Sequence, residues 1–104
     1  MESFKEIVKG EAPVLVDFHA TWCGPCQTMH PVIDDLKNDF GGNLRIIKID
    51  VDKNQALAQK YKIRGVPSFI LFKEGEIVWR GSGIMPKSEM VSTINQSLRK
   101  FDNA

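Results

Sequence analysis

Val14-Leu15-Val16-Asp17-Phe18-His19-Ala20-Thr21-Trp22-Cys23-Gly24-Pro25-Cys26 is the stretch on which the reading of this chain turns. Its first seven residues are an almost continuous apolar run of strand length, the pattern of a strand covered on both faces. The only two cysteines of the sequence follow at once, two residues apart. From Cys26 onward Met29, Ile33, Leu36 and Phe40 recur at spacings of three and four, which predicts a helix ended by Gly41-Gly42. Pro31 lies inside that helix and predicts a kink. The cysteines therefore fall where a buried strand gives way to a helix start. Side chains at i and i+3 of a first helical turn hold their Cβ atoms about 5 to 6 Å apart, only slightly beyond the roughly 3.5 to 4.5 Å of a disulfide. A bond there can form and break. A helix start also offers unpaired backbone N–H groups and a partial positive charge, which favour a thiolate at Cys23 and make it the expected nucleophile. Pro25 suits the first turn, where its missing N–H is no loss, and Gly24 leaves the approach to the sulfurs uncrowded.

Outward from this centre the chain reads as one continuous domain, residues 1–104, without repeats, low-complexity tracts or linkers. Ser3 and Glu6 have the spacing of a capping box, Phe4, Ile7 and Val8 share a helical face, and Gly10 can end that short helix. Leu44 to Val51 reads as a second buried strand, and Asn54 to Tyr61 as a short helix before Gly65. Ser68 to Lys73, a Glu74-Gly75 turn and Glu76 to Arg80 form a hairpin by spacing and composition. Met90, Val91, Ile94, Leu98 and Phe101 line one face of a final helix. The order of elements predicts an α/β fold, a central mixed sheet with helices on both faces. In such sheets function gathers beyond strand carboxyl ends, where the dithiol sits.

A chain of 104 residues with 42% hydrophobic content buries an adequate core without covalent staples, so the cysteines are free for chemistry. With 14 basic and 13 acidic residues and no basic block, the footprint of a nucleic-acid binder is missing. A lone C-x-x-C in a compact domain reads as redox or metal chemistry rather than a structural bridge. The start Met1-Glu2-Ser3-Phe4-Lys5-Glu6 carries charges where a signal peptide needs an apolar run, and no stretch is long and apolar enough to span a bilayer. A cytoplasmic protein without membrane attachment is the expectation.

Asp17 lies among Val, Leu and Phe, where an ionised, unpaired carboxylate costs several kcal/mol. Burial raises the pKa of such a group and makes it a general base near neutral pH, one strand-length from the thiols. His19, two residues on along the same strand face, is placed to hydrogen-bond near the active site and, when protonated, to favour the Cys23 thiolate. A rival reading takes His19, Cys23, Cys26 and His30 as zinc ligands, H-x3-C-x2-C-x3-H. Gly-Pro between the cysteines suits a helix start better than a zinc knuckle, so redox chemistry is preferred and no metal is expected.

Taken together, WCGPC at Trp22–Cys26, the buried acid in Val16-Asp17-Phe18, the helix proline Pro31, Gly65-Val66-Pro67-Ser68 and Gly83 resemble the thioredoxin family, over a span from about Pro13 to the C-terminus. The resemblance implies a thioredoxin fold and a general protein dithiol-disulfide oxidoreductase that maintains thiol redox balance. Electrons would come from NADPH through a thioredoxin reductase, with no cofactor bound. Disulfide-containing proteins would be the substrates of a monomer. It further implies that Cys26 resolves the mixed disulfide, that Asp17 deprotonates Cys26 through water, and that Lys48 stands near that acid and tunes it. Pro67 would follow a cis bond, presenting the Val66 backbone to an extended substrate, with Trp22, Gly65 and Gly83 completing an apolar docking patch. Trp79 reads as structural. Gln27 departs from the family's usual basic residue after the second cysteine, His19 stands in place of an aromatic, and the N-terminal segment is too short for an additional first strand. A thioredoxin-like interaction module with idle thiols is a second rival, opposed by the intact dithiol with Asp17.

Overall fold

Strand alternation through β1, Val14–His19, sorts the core into two layers. The computed structural model describes residues 3–104, and Met1 and Glu2 of the charged start lie outside the described residues. Leu15 points toward a layer with Met29, Ile33, Leu36, Met90 and Ile94, supplied by α2, Gly24–Phe40, and α4, Lys87–Asp102. Val14, Val16 and Phe18 point the other way, toward Val8 of α1, Phe4–Val8, and Leu57 of α3, Gln55–Lys60. Helices thus cover both sheet faces, and each fully buried large apolar side chain in these layers contributes about 1.5 to 3 kcal/mol.

Four strands form the sheet among the described residues, in the order β2-β1-β3-β4. β2, Arg45–Asp50, runs parallel to β1, and β3, Ser68–Lys73, runs antiparallel to it. β4, Glu76–Ser82, closes the other side as the antiparallel partner of β3 and extends two residues beyond the expected hairpin arm. Glu74 and Gly75 turn the hairpin with φ values of 51° and 83°. Two successive positive φ angles define the tight turn that matches strand twist, and glycine adopts its half without a Cβ penalty.

The expectation of a buried second strand requires correction. β2 lies at the sheet edge, with Arg45 and Lys48 exposed and its isoleucines only half-buried. Ile46 packs on the α2 and α4 layer, while Ile47 and Ile49 pack on the opposite one. Apolar residues on both faces read as full burial, but an edge strand has one side open to water. The first strand is also one residue shorter than read, because Ala20 has already left it, and the helix begins at Gly24 with Cys23 as its cap. At the N-terminus the Ser3 side chain accepts from the Glu6 N–H at 3.2 Å, as a capping residue does.

Candidate active site

Cys23 caps α2. Its Sγ accepts a hydrogen bond from the Cys26 backbone N–H at 3.1 Å, taking the place that a Ser or Asp oxygen fills at most helix starts. Pro25 occupies the first turn, and a Cβ on Gly24 would meet nothing within 4 Å. Cys23 and Cys26 are joined as a disulfide with Cα atoms 5.3 Å apart, and both are buried. A capping sulfur at a helix N-terminus gains more from that N–H as an anion than as a neutral thiol. Cys23 Sγ also lies 3.5 Å from the Val66 carbonyl. The disulfide sulfur carries no proton, so this contact becomes a hydrogen bond only in the reduced thiol.

The Val66-Pro67 bond is cis, as the resemblance implied. Ser68 Oγ donates to the Gly65 carbonyl at 2.6 Å, and the Gly83 N–H donates to the Pro67 carbonyl at 3.0 Å. These bonds hold the Gly65–Pro67 turn against β4 and beside the dithiol. Gly83 has φ 81°, the left-handed region where a side chain is strained. Trp22 is 71% exposed, and its indole N–H donates to Asp52 Oδ2 at 2.8 Å. Trp22, Val51, Ile63, Arg64, Gly65 and Val66 line a shallow depression of about 140 Å³. Val51, Ile63, Arg64 and Asp52 were missed from sequence, although Ile63 and Arg64 directly precede the Gly65 motif. Ile84, 59% exposed beside Gly83, was missed too. Trp79 is half-buried against the α2 and α4 layer, and a Cβ on Gly81 would come within 2.6 Å of its Cη2.

Asp17 faces α2 and is 2% exposed, with Oδ1 buried and without a hydrogen-bond partner. Burial pushes its carboxyl above the ordinary aspartate value, opposed by the positive charges of His19, His30 and Lys48. Lys48 is the register neighbour of Asp17 on β2, as expected, but its ammonium reaches away, 3.4 Å from Asp34 Oδ1 and 3.5 Å from His30 Nδ1. His19 packs edge-on against His30, ring centroids 5.9 Å apart. The four residues of the zinc spacing therefore divide into a disulfide and an edge-to-face imidazole pair. Among the described residues, no group of three or more His, Cys, Asp or Glu side chains is placed to hold a metal ion.

The thioredoxin family model matches residues 1–96. The chain belongs to the thioredoxin family. It is 40% identical over 98 residues to thioredoxin C-2 of Corynebacterium nephridii, covering 93% of this chain and 91% of that protein. Identity to the Haemophilus influenzae thioredoxin is 39% over 92 residues, covering 88% of this chain and 86% of that one. The chloroplastic thioredoxin Y of Oryza sativa is 41% identical over 97 residues, which cover 92% of this chain but only 58% of the longer plant protein. Among solved structures, a mutant thioredoxin from Halobacterium salinarum NRC-1 superposes with a TM-score of 0.81 at 39% identity, over 89% of this chain and 80% of that one. The fold is the thioredoxin fold, and the protein is a dithiol-disulfide oxidoreductase with the C-x-x-C pair of its family. Disulfide substrates and a reductase partner follow in general terms from membership. Among the described residues, no helix is long and apolar enough to cross a membrane.

Proposed function

We propose that residues 1–104 act as one thioredoxin domain that reduces protein disulfides, with Cys23 as nucleophile and Cys26 as resolving thiol. The observation that supports this division is the cap bond: the Cys26 N–H and the helix N-terminus favour negative charge on Cys23. Cys23 thiolate attacks one sulfur of a substrate disulfide, forming a mixed disulfide and releasing the first substrate thiolate. Asp17 carboxylate takes the Cys26 proton through water. Cys26 thiolate then attacks Cys23 Sγ, the Cys23-Cys26 bond forms, and the second substrate thiolate leaves. Two electrons pass from the dithiol to the substrate.

Trp22, Gly65, Val66, Pro67 and Gly83 form the docking patch, where the Val66 backbone offers strand-like hydrogen bonds to an extended segment. Gly24 leaves the approach to the sulfurs uncrowded, and Pro25 keeps the helix start intact. His19 and Lys48 tune the site by their positive charge, His19 acting also on Cys23. Electrons return from NADPH through a thioredoxin reductase, and the protein works in the cytoplasm as a monomer without a bound cofactor.

Insulin reduction, driven first by dithiothreitol and then by a reductase with NADPH, tests the activity. In the same system Cys26→Ser accumulates the mixed disulfide and Cys23→Ser traps nothing. The reverse pattern overturns the roles. Equilibration with glutathione tests direction: Gly-Pro between the cysteines belongs to reducing members, and the general value for thioredoxin is about −270 mV, against about −120 mV for the periplasmic oxidant. A couple near the latter value ends the reductase reading. Asp17→Asn slows resolution of the mixed disulfide, and unchanged resolution from about pH 6 to 8 removes Asp17 from the mechanism. For His19, the pH profile of Cys23 alkylation moves upward in both His19→Trp and His19→Ala, whereas superimposed profiles leave it a packing role.

A further inference from the structure

Arg64 and Gly65 line the docking depression and also a second groove, of about 340 Å³, that continues past the Gly65 turn toward β4. Lys62 and Arg80 join Arg64 along this groove, and among the described residues no Asp or Glu lines it. The chain as a whole is nearly neutral, at +1, so three cations in one groove are a local concentration rather than a share of a general excess. Arg80 is held in place, its guanidinium donating to the Tyr61 carbonyl across from β4 to the segment after α3. That bond occupies one donor of the five a guanidinium carries. Lys62 has φ 57°, the left-handed conformation that glycine adopts without penalty, yet a lysine stands there. Ser68 and Ser82, paired across β3 and β4, also line the groove, the Ser68 hydroxyl proton being given to the Gly65 carbonyl.

We propose that this groove selects substrates, binding Asp or Glu carboxylates of the protein segment that flanks the disulfide under attack. The proposal rests on the reductase reading and on docking at Val66. An extended segment advances about 3.3 Å per residue, so a segment laid along Val66 carries a flanking carboxylate over Gly65 into the groove within a few residues. Guanidinium groups bind carboxylates through paired N–H donors, which gives geometric as well as charge selection. The docking surface is also electrically uneven, with the Asp52 carboxylate bonded to Trp22 at one place and Arg64 beside Gly65 at another. An acidic flank is therefore favoured in one orientation and a basic flank disfavoured in it.

The test mixes the reduced protein with two cystine-bridged peptides, identical except for three Glu or three Lys beside the cystine, competing in one sample. The ratio of their second-order rate constants is read, because a ratio is unaffected by partial loss of folded protein. At low ionic strength the Glu peptide reacts roughly tenfold faster, and the ratio falls toward one at about 0.5 M salt. Lys62→Gln lowers the ratio, Lys62→Glu lowers it further, and Lys100→Glu on α4, outside the groove lining and with the same charge change as Lys62→Glu, leaves it as in the wild type. Equal rates for the two peptides overturn the groove while leaving the reductase reading intact. So does an equal response to Lys62→Glu and Lys100→Glu. Failure to reduce either peptide, or the uncharged 2-hydroxyethyl disulfide, overturns the reductase reading itself.

Discussion

The two faces of the sheet are built from alternate residues of the same strand, and they differ in kind. On the α1 and α3 face, β1 contributes Val14, Val16 and Phe18 to an apolar layer in which Phe4, Tyr61 and Phe72 meet as a ring triangle, with centroids 5.5 to 5.9 Å apart. On the α2 and α4 face the same strand contributes Leu15, then Asp17, then His19, and polarity rises toward the end that carries the dithiol. The first face stabilises the fold and carries no titratable group of the proposed mechanism. The second gives up stability at one buried, unpartnered carboxyl oxygen, that of Asp17, the residue proposed as the base for Cys26. Alternation lets one strand serve both ends without compromise between them.

The sharpest way to break this contrast is to weaken the apolar face alone. Phe72→Ala removes a fully buried ring from the triangle and costs about 3 to 5 kcal/mol. At roughly 4 °C or more per kcal/mol in a domain of this size, Tm falls by at least about 12 °C. Cys23 alkylation measured well below the lowered Tm keeps its wild-type pH profile. A shifted profile would mean that the two faces are coupled through the sheet.

Asp17→Asn acts on the other face and raises stability in a pH-dependent way. The folded carboxyl titrates above the unfolded one, so between those two values the native state holds more protons than the unfolded chain. Wild-type stability therefore falls as pH rises through that window, by about 1.4 kcal/mol for each pH unit separating the two pKa values. Below the unfolded pKa, about 3.9, the charge contributes nothing to the difference between the proteins. Above the folded pKa the advantage of the Asn variant is full and constant. Urea unfolding from acid to mildly alkaline pH checks this, and parallel stability curves would show that Asp17 does not ionise in the core.

How far such features were legible in the sequence follows from their range. The β1 strand, the helix start at the cysteines and the Glu74-Gly75 turn are set by neighbours within a few residues, and their expected positions agree with the structure to one or two residues. The edge position of β2 depends on which strand lies beside it, and Ile46, Ile47 and Ile49 read alike whether that side is covered or open. At the site, the cysteines and Asp17 carried local signals, whereas the cis bond at Pro67 was implied only by the family resemblance. The Trp22 bond to Asp52 spans 30 residues and depends on side-chain direction, which no periodicity encodes. Lys62 and Arg64 are sequence neighbours, but only the hairpin brings Arg80 into the same groove.

That long-range bond supplies a smaller effect. Asp52→Ala releases an indole that is mostly in water, so stability changes by less than about 1 kcal/mol. Trp22 becomes more mobile, read as lower fluorescence anisotropy, and reduction of insulin slows a few-fold because one wall of the docking depression is no longer fixed. Unchanged anisotropy would show that packing rather than Asp52 orients the ring.

The smallest effect on stability, and the finest probe of the polar face, belongs to Lys48. Its ion pair with Asp34 is exposed, with side chains 37% and 67% accessible, so solvent screening leaves it about 0.5 kcal/mol or less. Lys48→Met keeps the aliphatic stem on the sheet and removes the charge. Near neutral pH its unfolding midpoint in urea stays close to the wild type. The charge also acts on Asp17, however, lowering a pKa that burial raises. Without it the folded carboxyl titrates higher still, and the pH window over which stability declines extends upward. Asp17→Asn supplies the control: in the double variant the extension disappears, because the group that responds to Lys48 is gone. A Lys48→Met protein whose window ends where the wild type's does would confine Lys48 to its contacts with Asp34 and His30, and the tuning of Asp17 would fall to the two imidazoles.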